Sequence, residues 1–299
     1  MGYPLIELPP ENLPRRLREI PDPPEKLYMQ GVLPSEEHKW LCVVGSRRYT
    51  NYGKEVCEKL IEGLRGYPVV IVSGLALGID ALAHCAALAA NLPCVAVPGS
   101  GLAREVLYPS TNRRLADEIL KTGLPAAPNA AQAGGALLSE FEPDFAATAW
   151  SFPQRNRIMA GLSDAVLVVE AEQRSGTLIT ARLATEYNRD VFTVPGSIFS
   201  ASSAGPHMLI RLGATPITAP EDLQRVLGFD VTAHPESNTK CYDDCSPEEL
   251  RIIKLLKEPF ARDTLIGKLS LPVSRANALL SMLELKGHIK ESLGEIHLA

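Results

Sequence analysis

Short apolar runs alternate along this chain with longer stretches of helical periodicity, and that alternation restricts the fold more than any other feature. From Trp40 onward the runs are Leu41–Val44, Val69–Val72, Cys94–Val97, Leu137–Phe141, Ala165–Val169, Val191–Val194 and, more weakly, Thr215–Thr218. Between most of them lie segments with apolar residues at helical spacing, such as Gly53–Leu64, Asp80–Ala90 and Leu178–Tyr187. Strand, helix, strand order repeated in this way predicts an α/β fold in which helices cover both faces of a parallel sheet. The apolar material suffices: 45% of the 299 residues are hydrophobic and 22% charged, a globular balance that argues against global disorder.

The flanks read differently. Residues 1–39 open with eight prolines in the first 36 positions and no sustained apolar period, so they are expected as an irregular lead-in packed on the core. Residues 40–227 form the α/β domain, with Gly123–Ala136 a loop inserted before the fourth strand. Residues 228–245 are polar and aperiodic, a linker. At 246–299 the run Ser246-Pro247-Glu248-Glu249 has the chemistry of a helix start: a capping serine, proline in the first turn, and acids at the positive helix end. Helices at about Pro247–Leu256, Arg262–Leu269 and Ser274–Lys286, then strands at His288–Glu291 and Glu295–Leu298, predict a small winged-helix domain.

In an open parallel sheet, ligands bind beyond the carboxyl ends of the strands. The loops there are rich in glycine and hydroxyl groups: Gly45-Ser46-Arg47-Arg48, Ser73-Gly74-Leu75-Ala76-Leu77-Gly78, Pro98-Gly99-Ser100-Gly101, Ser175-Gly176-Thr177 and Pro195-Gly196-Ser197. Glycine lets a backbone approach a ligand and aim several N–H groups at one anion, and the helix that follows adds its positive end. Any single loop of this kind serves equally well as a tight turn, but five on one edge suit phosphate. Phe152-Pro153-Gln154-Arg155-Asn156-Arg157 opens a helix. Arginines there oppose the macrodipole unless an anion arrives or the acids Glu140, Glu142 and Asp144 pair with them. His84, one turn after Asp80, reads as half of a capping and orienting pair.

Several classes are disfavoured. No G-x-G-x-x-G fingerprint, P-loop or nucleophile–base–orienter set is present, and no cofactor is expected. The six cysteines lack metal-ligand spacing, and Cys42, Cys57, Cys85 and Cys94 are expected as small buried side chains. No apolar run is long enough to span a bilayer, which predicts a cytoplasmic protein with no membrane partner. A formal charge of -5 excludes a broad basic surface, so any nucleic-acid site is local.

Ser73-Gly74-Leu75-Ala76, Gly78-Ile79-Asp80, Ala83-His84, Phe152–Ile158, Ser175–Ala181, Val194-Pro195-Gly196 and Leu209–Ala214 together resemble the signature of the DNA-processing protein A (DprA/Smf) family, over about Tyr28 to Leu227. The resemblance implies an extended Rossmann-like fold that binds single-stranded DNA in a basic pocket, forms a homodimer through that domain and loads the recombinase RecA in natural transformation, without being an enzyme. It implies phosphate contacts from Arg47, Arg48, Arg155, Asn156 and Arg157, and donors from Ser46, Gly74, Gly99, Ser175, Gly176 and Thr177. Ser73, Gly78, Ser100, Gly101 and Gly196 of the same loops join the nucleic-acid-binding set, Phe152 is the candidate base contact, and Phe199–Leu227 is the dimer and partner surface. Leu77 stands where an arginine is expected, and Ala103-Arg104 replaces the usual acid. The N-terminal helical domain of many members is expected to be absent, while the winged helix matches a domain that some members append. The C-terminal segment carries eight Lys plus Arg against seven Asp plus Glu after Cys245, too even a balance to favour duplex reading. The alternative is a Rossmann nucleotide-processing enzyme, of nucleoside monophosphate N-glycosidase type. That chemistry needs an acid after Ser175-Gly176-Thr177, and none occurs before Glu186.

Overall fold

The computed structural model describes residues 3–122, 134–230, 245–256, 260–269, 271–292 and 294–298. Contacts divide the chain into two compact units, Met1–Thr232 and Ala233–Ala299. Most of the expected linker, at 231–244, and most of the expected loop, at 123–133, lie outside the described residues.

The first unit runs β1 (Ile6–Leu8), α1 (Arg15–Arg18), β2 (Leu27–Val32), β3 (Lys39–Val44), α2 (Asn51–Glu62), β4 (Val69–Ser73), α3 (Ile79–Ala89), β5 (Cys94–Ala96), α4 (Arg113–Thr122), β6 (Gly135–Ser139), α5 (Ser151–Leu162), β7 (Ala165–Val168), α6 (Thr177–Glu186), β8 (Asp190–Thr193), α7 (Ala204–Arg211), β9 (Thr215–Pro216) and α8 (Pro220–Val226). The strands form one sheet in the order β1-β2-β6-β5-β4-β3-β7-β8-β9. Neighbours from β6 to β9 are parallel, with Leu41 opposite Ile71 and Ala165, whereas β2 pairs antiparallel with β6 and β1 antiparallel with β2.

Both faces of the sheet are covered, so its central strands read as continuous apolar runs, and alternate residues enter opposite cores. Leu41 and Val43 face a core with Ile61, Ile71 and Ile79, while Trp40, Cys42 and Val44 face another with Val72, Ile158 and Leu162. Ile71 is fully buried, and truncating it to alanine removes about 2 to 5 kcal/mol.

Residues 1–39 are not the irregular lead-in that the sequence suggests, because they carry β1 and β2, which extend the sheet at one edge. Proline density hid them: β1 and β2 are only three and six residues long, and strands joined antiparallel need no flanking helix. Gly135 and Ala136, expected in a loop, open β6.

The second unit comprises α9 (Pro247–Leu255), β10 (Phe260–Ala261), α10 (Arg262–Leu269), α11 (Val273–Leu285), β11 (Ile289–Ser292) and β12 (Glu295–Leu298), with the sheet order β10-β12-β11. Ile252, Leu265, Leu280, Leu283 and Ile296 form its core. Ser246 caps α9: its hydroxyl accepts from Glu249 N–H, and the Glu249 carboxylate accepts from Ser246 N–H at 2.6 Å.

Candidate nucleic-acid interface

β3 is the first parallel strand in the chain. The chain proceeds from it through β4 and β5 to β6, then returns to place β7 on the other side of β3. The carboxyl ends of β3 and β7 are therefore the switch point of the sheet, where an open α/β fold leaves a crevice. A cleft of about 360 Å³ lies there. Its walls are the loop after β3, the start of α5 and the loop between β7 and α6.

Of the residues expected in the site, Ser46, Arg47, Arg48, Phe152, Arg155, Asn156, Ser175, Gly176 and Thr177 line this cleft. So do Arg174, Glu172, Asp80 and Thr180, giving four arginines against two acids. Arg47, Arg48 and Arg174 are exposed and have no ion-pair partner among the described residues. The Arg47 guanidinium lies over the Phe152 ring, 5.1 Å from its centroid.

The loops are held by their own hydroxyls. The Ser46 hydroxyl donates to Arg48 C=O at 2.7 Å and accepts from Arg48 N–H. The Thr177 hydroxyl donates to Gly45 C=O at 3.0 Å, tying the two loops across the switch point, and Ser175 Oγ accepts from Thr177 N–H. Gly78 has φ of +89°, and a Cβ there would sit 2.2 Å from the Ser46 carbonyl oxygen, so only glycine fits.

Arg155 and Arg157 are both engaged by groups of the protein itself. Arg155 is 4% exposed, and its guanidinium donates to Gly74 C=O at 2.6 Å and to Val97 C=O, clamping the loops after β4 and β5 from beneath. Burial lowers its pKa, and the nearby Asp80 acts in the opposite sense. Burial likewise raises the pKa of Asp80 against the fields of Arg155 and the backbone of Ala76 and Gly74. Arg157 does not face the cleft: it pairs with the half-buried Glu140 and reaches Asp22, so the acid-pairing reading of its sequence context is the correct one.

The remaining expected residues build the edge without lining the cleft. The buried Ser73 hydroxyl donates to Val43 C=O at 2.6 Å. Gly74 leaves room for Arg155, and Gly99 for Phe152. Ser100 is buried, donating to Gly101 C=O and accepting from Tyr108 N–H, while Gly101 N–H donates to Phe145 C=O. Gly196 accepts from His207 in a separate recess beside β8. His84 is fully buried, and its ring has no hydrogen bond to Asp80, so it is not the expected orienting partner of that residue. Cys85 is exposed, unlike Cys42, Cys57 and Cys94. Sequence reading missed Arg174, whose signal was a cation directly preceding Ser175-Gly176-Thr177.

In the second unit both cations of α11 and its cap are engaged. Arg275 pairs with Glu248 at 2.9 Å, and Lys286 pairs with the buried Glu249 at 2.9 Å. No His, Cys, Asp and Glu cluster able to hold a metal occurs among the described residues, and no helix among them is long and apolar enough to cross a membrane.

The fold and cleft define a doubly wound α/β protein with a basic switch-point site. Residues 5–228 match the model of the DNA recombination-mediator protein A family, and residues 236–294 match the DprA winged helix domain. The chain belongs to the DNA recombination-mediator protein A family. It is 38% identical to Protein Smf of Escherichia coli over 95% of this chain and 74% of that protein, and 42% identical to DNA processing protein DprA of Streptococcus pneumoniae over 74% of this chain and 73% of that one. The crystal structure of the S. pneumoniae protein superposes with a TM-score of 0.65 at 39% identity, over 76% of this chain and 75% of that one. A Helicobacter pylori DprA structure, described as showing a single-stranded DNA binding mode, superposes with a TM-score of 0.62 at 31% identity, over 76% of this chain and 98% of that one. The expected Rossmann-like core and C-terminal winged helix are thus both present.

Proposed function

We propose that the switch-point cleft binds single-stranded DNA through its phosphates and that the protein presents the captured strand to a RecA-type recombinase, acting in the cytoplasm without catalysis and without a cofactor. The observation that carries this reading is the trio Arg47, Arg48 and Arg174, which line the cleft exposed and without ion-pair partners among the described residues, with Arg47 set over the Phe152 ring, in a chain of net charge -5. Unpaired arginines in a narrow cleft attract a polyanion, and an aromatic beside them accepts any base. The single-stranded DNA named for the H. pylori relative and the recombination mediation named for the family support the same reading. Homodimerisation through the first unit and a role in natural transformation belong to it by family resemblance, with exposed Phe199 and Leu212 supporting a self-association surface after β8.

The nucleotide-processing alternative requires an acid on the first turn of α6. The residues that line the cleft there are Thr177 and Thr180, neither of them an acid. The test is binding of a fluorescent single strand against the same sequence as a duplex, for the wild type and for Arg47→Ala with Arg174→Ala. The reading predicts a single-strand preference that the double variant loses. Absence of single-strand binding, with free base released from a panel of nucleotides, overturns it in favour of the enzyme.

A further inference from the structure

Among the described residues, the aromatic side chains that stand out into solvent are Tyr49, Tyr52, Tyr108, Trp150 and Phe199. All five lie between the carboxyl end of a parallel strand and the first turns of the next helix: Tyr49 and Tyr52 beyond β3, Tyr108 beyond β5, Trp150 beyond β6 and Phe199 beyond β8. Exposed rings concentrated on one edge mark a contact surface, whereas scattered ones need no explanation. Phe199 belongs to the segment read above as the self-association surface. The others follow the edge from β3 across β4 and β5 to β6, three strand intervals or about 14 Å at the usual spacing.

This row is joined to the cleft. Phe152, beneath the Arg47 guanidinium, lies 5.6 Å from the Tyr108 ring. Trp150 precedes Phe152 by two residues and is 55% exposed. Its ring is set edge-on against Phe141 and Phe145 at 5.7 and 5.6 Å, which fixes its plane. The Tyr108 backbone is anchored by its N–H donating to the buried Ser100 hydroxyl. Two rings held in place beside an arginine-lined cleft offer flat faces to unstacked bases, and stacking tolerates any sequence because every base has a π face.

We propose that Tyr108 and Trp150 form a stacking ledge for the bases of single-stranded DNA leaving the cleft over Phe152, toward β5 and β6. This rests on the reading of the cleft as a phosphate site, and it adds a direction and a second kind of contact. A duplex cannot use the ledge, since its bases are already stacked.

The chain has two tryptophans, and Trp40 is buried in the core, so a change of indole emission on adding DNA reports on Trp150. The experiment titrates the full-length protein with an oligothymidylate and with an abasic strand of the same length, for the wild type, Tyr108→Ala, Tyr108→Phe and Trp150→Ala. The ledge predicts that oligothymidylate quenches the emission while the abasic strand binds without quenching. It also predicts that each alanine variant weakens oligothymidylate by about fivefold to a hundredfold and leaves abasic affinity unchanged, while Tyr108→Phe, which keeps the ring, binds both strands as the wild type does. Oligothymidylate binding with unchanged emission and wild-type affinity in both alanine variants overturns the ledge and leaves the phosphate cleft standing. Failure of both strands to bind overturns the two together.

Discussion

Arg47 and Phe152 reach the cleft from different elements, the loop after β3 and the start of α5, and meet with the guanidinium 5.1 Å from the ring centroid. The ring orients a cation that has no ion pair among the described residues, so charge and stacking surface reach an incoming strand together. Phe152→Leu keeps the apolar packing but removes the π face. It is expected to weaken oligothymidylate binding by about 1 to 3 kcal/mol with little loss of thermal stability, measured by anisotropy and thermal melting.

Arg157 gives the opposite pattern. It is spent on Glu140, whose side chain is 8% exposed, so Arg157→Gln strands a buried carboxyl. The expected cost is about 3 kcal/mol of stability. Single-strand affinity of the folded fraction should stay at the wild-type value, and a calorimetric melt beside an anisotropy titration separates the two effects.

Lys286 tests the second unit in the same way. It neutralises Glu249, which is 4% exposed and also caps α9. Lys286→Met is expected to destabilise the winged helix by about 1 to 3 kcal/mol while changing duplex affinity little, because the cation already has a protein partner. A large loss of duplex binding at unchanged stability would assign Lys286 to DNA.

His84 supplies a pH signature. Burial lowers its pKa from 6.5 to about 4, with the Arg155 charge acting in the same sense and the Ser73 backbone against it. Between pH 6.5 and 4 the unfolded chain therefore binds the proton and the folded protein does not, so this residue's contribution to stability falls as pH falls. The full effect is about 3 kcal/mol. Asp80 titrates in the opposite sense, but it is common to both proteins when His84→Met is compared with the wild type. The variant is expected to lose this acid-side slope in urea melts run from pH 7 to pH 4.5.

The sequence made the sheet legible because the central parallel strands β3 to β7 are buried on both faces and read as near-continuous apolar runs. β2 escaped because a short antiparallel strand among prolines leaves only six residues of pattern. The cleft was legible as a set of glycine and hydroxyl loops on one edge, since the topology brings strand ends together whatever their side chains do. What the sequence could not apportion was the arginines. Arg155 and Arg157 stand two residues apart on α5, so they leave the helix about 200° apart, and one enters the floor of the cleft while the other meets Glu140. Nor could it distinguish glycines that admit a ligand from Gly74 and Gly99, which admit a neighbouring side chain.

The most direct test of the central claim is the salt dependence of single-strand affinity for the wild type, Arg47→Ala and Arg47→Ala with Arg174→Ala. A phosphate cleft predicts a steep log–log slope that shrinks by about 0.7 for each arginine removed. A slope that is flat in the wild type, or unchanged in the double variant, contradicts the account.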